Sequence, residues 1–171
     1  MHHTTVPPLA QMLRNLDGWL EQGIAFAATR EMDPELLLEA RLYPDMFPLR
    51  RQVQAACDSA KLLCARLADV EAPRHEDGPQ TLPELRARLA EVVAFIEGIE
   101  VAAFEDAAAR EITLPFMQGM ATTGHCYATE FGLPNFYFHA TTAYAILRHV
   151  GVKLGKRTYI GHMTLHPARS T

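Results

Sequence analysis

Hydrophobic residues recur at steps of three and four along most of this 171-residue chain, a pattern typical of amphipathic helices. The first stripe predicts a helix that has Thr5 as its N-cap and ends near Thr29. Residues 33–43 predict a short helix, which ends there because Pro44 disfavours helical geometry in the residue before it. The chain therefore opens with one long helix and one short extra helix.

Two further long helices are predicted in the middle of the chain. One begins at Pro48, and the next begins at Thr81, which can form a capping box with Glu84, and ends at Gly98. Residues 69–80 form a loop between them, and an extended loop of this length reaches up to about 40 Å. That reach allows the two helices to lie parallel, which a short turn would not.

The periodicity is weak in residues 101–132, where Gly119 and Gly124 favour a small hairpin or an irregular excursion. Residues 134–149 predict the last helix, and Gly151 is suited to the position just past its end. Four long helices in one small chain predict an all-α four-helix bundle.

Composition supports a single helical domain over residues 1–171, because 49% of the residues are hydrophobic and can form a full core. The formal net charge of −4, with no cluster of basic residues, argues against a nucleic-acid partner. No apolar run approaches the ~18 residues of a membrane span, and no signal peptide is recognisable. We therefore expect a cytoplasmic protein without a membrane partner.

Three cysteines, Cys57, Cys64 and Cys126, lack the paired spacing of a metal site. Their odd number favours reduced thiols. The first two lie seven residues apart on one helix face among apolar neighbours, which raise the pKa of a thiol and make it unreactive.

Three runs of the sequence resemble an uncharacterised family within the DinB-like (YfiT-like) superfamily of candidate metalloenzymes. The runs are LLLEARLYPDMFPLRRQVQAACDSAK, LPNFYFHATTAYAILRH and GVKLGKRTYIG. The resemblance covers nearly the whole chain and implies an up-down-down-up bundle and a homodimer. It also implies, for many superfamily members, a divalent metal held by three histidines, two of them four residues apart on the last helix, and for some a thiol-dependent transferase activity.

This chain departs from that histidine pattern. His139 stands on the last helix, but Ala143 occupies the position four residues later, and the helix that begins at Pro48 contains no histidine. A divalent metal stays possible as a cofactor, with His139 as its candidate ligand, although the three-histidine pattern is incomplete.

His139 is the first candidate for a catalytic role, as a general base or a metal ligand inside the bundle. The alternative is a core histidine satisfied by a single hydrogen bond. Asp45 and Asp58 are the carboxylates that could act with it, and together they would suit a hard or borderline cation. Asp58 has a structural alternative, a buried salt bridge between helices.

Four aromatic residues are candidates for the wall of a small-molecule pocket: Phe47, Phe136, Tyr137 and Tyr144. Aromatic side chains at helical spacing are also typical of a plain core. The sequence therefore predicts a bundle with a small-molecule site between helices and an undefined reaction. The alternatives are a non-catalytic dimeric ligand-binding protein and a stress-related structural protein, both without metal.

Overall fold

The chain folds into a four-helix bundle with a small hairpin before the last long helix, in a computed structural model that describes residues 1–168. The helices are α1 (His2–Ala28), α2 (Leu49–Ala68), α3 (Leu82–Glu97), α4 (Gly124–Cys126), α5 (Leu133–His149) and α6 (Lys156–Ile160). The strands are β1 (Glu111–Ile112) and β2 (Thr122–Thr123), which pair antiparallel. Within residues 1–168, no helix combines the length and apolar character needed to span a bilayer.

Helices α2 and α3 run in the same direction, as the long loop between them allows. Gln54 donates to Gln80 at 2.9 Å, and Arg88 donates to Asp58 at 2.8 Å, so residue numbers rise together along both helices. Helices α1 and α3 are antiparallel, as the contacts Arg14–Glu97 and Asp17–Arg86 show. Helices α2 and α5 are also antiparallel, as the contacts Gln52–His139 and Ser59–Asn135 show. The topology is therefore up-down-down-up, which confirms the prediction.

A salt-bridge network fastens the loop of residues 69–80 to α2 and α3. Lys61 bonds to His75 at 2.9 Å, and the other ring nitrogen of His75 contacts Glu91 at 3.1 Å. Further along the loop, Asp77 contacts Arg51 of α2 at 2.6 Å. Gln54 and Arg88 also donate to the carbonyl oxygens of Gly78 and Glu76, so hydrogen bonds and the Asp77–Arg51 ion pair hold the loop to both helices.

The last long helix begins earlier than the sequence predicts. It is continuous with α4 through a π-helical turn, Tyr127–Gly132, so the helical run starts at Gly124 rather than at Pro134. The turn lies close against α2, because a Cβ on Gly132 would lie 2.7 Å from the Cδ1 atom of Leu63. Only glycine allows that approach.

Two boundaries near the N-terminus also differ from the prediction. Thr5 lies inside α1, where its hydroxyl bonds back to the carbonyl oxygens of Met1 and His2, so it cannot act as the N-cap. The short helix is a 3₁₀ helix, Pro34–Glu39, that ends before Tyr43 because Ala40 is extended. Its predicted N-cap is correct, since Asp33 accepts from the Glu35 amide at 3.0 Å.

The C-terminal segment packs back on α1. Trp19, which is buried, donates from Nε1 to the Thr158 carbonyl oxygen at 2.9 Å, and its ring stacks on Tyr159 with centroids 5.4 Å apart. Asn15 donates to the Tyr159 carbonyl oxygen at 2.9 Å. These contacts dock α6 on the outside of the bundle.

Candidate functional site

A cleft of about 350 Å³ lies between α2 and α5, under the turn Pro115–Met117. Six residues of α2 line it at helical spacing, which places them on one face: Arg51, Ala55, Asp58, Ser59, Leu62 and Arg66. The opposite wall comes from the π-helical turn and α5: Tyr127, Phe131, Gly132, Asn135 and His139. Both Asp58 and His139 therefore lie at one cleft, as does Phe47.

A buried glutamine fixes the orientation of the His139 ring. The Gln52 side chain donates from Nε2 to the Phe47 carbonyl oxygen at 3.3 Å, which leaves its Oε1 atom facing His139 Nδ1 at 2.8 Å. An amide oxygen only accepts, so Nδ1 carries the proton and Nε2 carries the lone pair. Within residues 1–168, Nε2 has no hydrogen-bond partner.

The imidazole of His139 is biased toward its neutral form. Burial lowers its pKa below the ordinary value of 6.5, and the nearby Arg51 guanidinium lowers it further. The guanidinium contacts Asp77 and lies 5.7 Å from the centre of the Phe47 ring. At neutral pH the cleft therefore contains an uncharged imidazole with an available acceptor nitrogen.

Asp58 is fully engaged by cations. Its two carboxylate oxygens contact Lys61 Nζ at 2.9 Å and Arg88 Nη2 at 2.8 Å, and both cationic side chains are buried. This arrangement is the interhelical salt bridge considered as an alternative for Asp58. The carboxylate lines the cleft, but its charge is directed into the α2–α3 interface.

Asp45 does not enter the cleft. It is exposed and borders a separate depression of about 220 Å³, which His139 and Phe138 also line. Asp45 and His139 thus line the depression, Asp58 and His139 line the cleft, and neither of these two cavities is lined by both carboxylates.

Only one of the four predicted wall aromatics lines the cleft. Phe47 does so; Phe136 is completely buried in the core instead. Tyr137 is partly buried, and burial raises the pKa of its hydroxyl. Tyr144 packs edge-on against Trp19, away from the cleft. Helix phase is the reason, since these three residues lie on other faces of α5 than Asn135 and His139.

The aromatic wall of the cleft comes from elements in which the sequence has no regular helical or strand spacing. Phe116, on the turn after β1, lies 5.4 Å from Phe131 between ring centres, and Phe131 lies 6.0 Å from Tyr127. The π-helical turn changes the helical phase upstream of α5, so a regular spacing could not place Phe131 and Tyr127.

Three polar residues at or beside the cleft are not among the candidates that the sequence predicts. Gln52 orients His139, Asn135 donates to Ser59 at 2.7 Å across the cleft, and Arg66 contacts the Tyr127 hydroxyl. A usable signal existed for Asn135, because it precedes His139 by four residues and therefore shares its helix face. No comparable spacing marks Gln52.

The residues at the cleft do not fit the superfamily's three-histidine metal site. His139 is the single imidazole that lines it, and the single carboxylate, Asp58, is occupied by two cations. Within residues 1–168, no three histidine, cysteine or acidic side chains group closely enough to hold an ion. The Arg51 charge beside His139 also opposes a cation there.

The buried cysteines offer no thiolate to this site. Burial raises the pKa of both Cys57 and Cys64 to about 12, as their apolar neighbours predict. Cys126 is partly exposed and does not line the cleft.

Comparison with known proteins gives a family and a fold. Residues 1–160 match the profile of a family described as a domain of unknown function, DUF1993. A crystal structure of a DinB family member protein from Shewanella denitrificans is similar to this chain, with 44% sequence identity and a TM-score of 0.94. The similarity covers 98% of this chain and 95% of that one. No curated protein matches significantly. These matches confirm the resemblance to an uncharacterised DinB-like family.

Proposed function

This chain belongs to the DUF1993 family of DinB-like helical bundles, and from that premise we propose that it binds a small organic molecule in the α2–α5 cleft. The observation that carries the proposal is the state of His139. Its Nδ1 proton is committed to Gln52, its pKa is lowered, and its Nε2 lone pair is available beside a cleft of ligand size.

A neutral imidazole held in one tautomer accepts either a hydrogen bond or a proton. The cleft therefore suits a ligand that presents a hydroxyl, an amine or an acidic C–H group to His139. We assign the acceptor role to His139, the positioning role to Gln52, and an apolar contact to Phe47, which is half-exposed at the cleft rim. Asp58 contributes by holding α2 against α3 at the cleft edge.

The test is a screen of uncharged and anionic organic fragments by thermal shift, followed by NMR of the His139 imidazole protons. We expect fragments, and not divalent cations, to raise the melting temperature and to shift the His139 signals. His139→Ala should abolish the rise in melting temperature that these fragments cause, whereas the matched variant His149→Ala, at an exposed position on the same helix, should keep it. Fragments that bind without affecting His139 would refute the proposed site.

A homodimer forms the second part of the proposal. Tyr43 and Phe138 are large aromatic side chains with 65% and 57% of their surfaces exposed, and Phe138 lines the depression that Asp45 and His139 share. A second copy of the chain would cover such rings. Sedimentation at micromolar concentration measures the stoichiometry, and a monomer at all concentrations would contradict this part alone. A dimer that binds ligand without turnover would correspond to the non-catalytic alternative.

A further inference from the structure

Arg66 is a cation in the cleft without an acidic partner. Its Nη1 donates to the Tyr127 hydroxyl at 2.7 Å, and its guanidinium carbon lies 5.7 Å from the centre of the Tyr127 ring. Among residues 1–168, no carboxylate lies within 4.0 Å of it, and no second acceptor engages its donors. A guanidinium has five N–H donors, so an oriented edge remains for a planar acceptor.

The surroundings of Arg66 carry a positive excess in a chain whose net charge is −4. Four cations lie at or directly behind the cleft: Arg51, Lys61, Arg66 and Arg88. Asp58 contacts Lys61 and Arg88, and Asp77 contacts Arg51 and Arg88. Each of these three cations therefore has an acidic partner, and Arg66 is the cation left to receive an anionic ligand.

The apolar part of this end of the cleft is aromatic. Phe116, Phe131 and Tyr127 form a continuous series of rings beside Arg66, and Phe116 is 61% exposed. An exposed ring at the mouth of a cleft is stabilised when another flat apolar group stacks on it and removes its surface from water. The combination of one forked cation and a ring series matches a carboxylate attached to an aromatic ring.

The presence of a single guanidinium at this end of the cleft also favours one class of anionic ligand over another. Arg51, the other cation lining the cleft, lies fifteen residues away along α2, about 22 Å at the helical rise. A phosphate dianion would therefore meet only one of the two charges, whereas a monoanionic carboxylate is matched by one bidentate arginine.

We propose that the end of the cleft formed by Arg66, Tyr127, Phe131 and Phe116 binds an aromatic carboxylate, with Arg66 as its anion anchor. The inference deepens the function proposed above and rests on it. The carboxylate at Arg66 directs the remainder of the ligand along the cleft toward Asn135 and His139.

The test compares cinnamate with its uncharged isostere cinnamamide by isothermal titration calorimetry. Wild-type protein should bind cinnamate about tenfold more tightly or better, because a charge-assisted bidentate pair is lost in the amide. Arg66→Gln should remove that preference, and Tyr127→Phe, which retains the ring, should reduce it. Arg86→Gln, on α3 outside the cleft, should leave it unchanged. Circular dichroism verifies that each variant is folded.

Equal binding of the two compounds to the wild type, or a preference that persists in Arg66→Gln, would overturn the role of Arg66 while leaving the cleft as a ligand site. Absence of binding by either compound would overturn the aromatic-carboxylate class. The proposed function fails separately, by the fragment screen on His139.

Discussion

The two faces of α2 use polar residues in opposite ways. Toward α3, Asp58 and Lys61 meet Arg88 and His75 within 2.9 Å, so each charge has a counterpart inside the protein. Toward α5, Arg66 keeps donors without acceptors among the described residues, as His139 across the cleft keeps an acceptor without a donor. The charges on the α3 side are paired and stabilise the fold, although the buried Arg88 Nε has no hydrogen-bond partner among residues 1–168. Hydrogen-bonding groups left over beside a cleft indicate a ligand site.

Removing the Asp58–Arg88 ion pair between α2 and α3 should have the largest effect on stability. Arg88→Met leaves Asp58 with one cation and removes the bonds from Arg88 to the Glu76 carbonyl oxygen and the Gln80 side chain. We expect the free energy of unfolding, measured in urea, to fall by about 2–4 kcal/mol, because Asp58 keeps only Lys61 and two further acceptors lose a buried donor. Arg86→Met is the matched control on the same helix.

Arg86 pairs with Asp17 at 2.6 Å, but both side chains are about one-third exposed. Its loss should therefore cost less than about 1 kcal/mol, since solvent screens such pairs. If the two variants lose the same free energy of unfolding, the α2–α3 network contributes no more than a surface ion pair. The proposed difference between the two faces of α2 would then be wrong.

The cleft face depends on close helix packing rather than on paired charges. Gly132→Ala should lower the free energy of unfolding by about 1–3 kcal/mol, because the new methyl group meets the buried Leu63 side chain at 2.7 Å. Thermal unfolding followed by circular dichroism measures it. Gly18→Ala, in α1 with no atom within 4 Å of the added Cβ, should instead raise it by about 0.5–1 kcal/mol. A neutral Gly132→Ala would mean that the Leu63 side chain or the turn itself shifts without cost.

The smallest expected effect concerns the protonation of His139. Arg51→Gln removes one of the two causes that lower its pKa, so we expect the pKa to rise toward 6.5 in an NMR titration. Burial, the larger cause, remains. An unchanged pKa in this variant, with Arg86→Gln as the control, would show that Arg51 does not influence the ring.

The same shift has a consequence for stability. Since the folded-state pKa is lowered, the unfolded chain binds the proton more readily, and stability falls as the pH drops below about 6.5 toward the folded-state value. In Arg51→Gln the folded-state pKa lies closer to 6.5, so the range of pH over which His139 lowers stability should be narrower. Above pH 6.5 both states hold a neutral ring, and the contribution of His139 is complete.

The sequence predicts the fold well because the fold depends on local periodicity and capping. The Thr81–Glu84 capping box forms with bonds of 2.7 and 3.4 Å, and Gly151 ends α5 with a φ of 105°. Both caps are encoded within a few neighbouring residues. The length of residues 69–80 allows parallel helices, and the up-down-down-up order is what the family resemblance implies.

The site was only partly predictable, because it is formed by residues that are distant along the chain. Chemical type makes His139 and Phe47 candidates, and both line the cleft, but the partner of His139, Gln52, lies 87 positions away. The π-helical turn interrupts the constant spacing of a helix, so the positions of Tyr127 and Phe131 do not follow from the pattern of α5. A contact between residues so far apart in sequence, such as Gln52 with His139, is established only when the helices pack together.

The docking of α6 on α1 has a practical consequence for spectroscopy. Trp19 is the single tryptophan of the chain, and its indole lies under Tyr159 with its N–H bonded to the Thr158 carbonyl oxygen. It does not line the α2–α5 cleft. Its emission will therefore report detachment of the C-terminal helix, while occupancy of the cleft passes unrecorded in the same fluorescence trace.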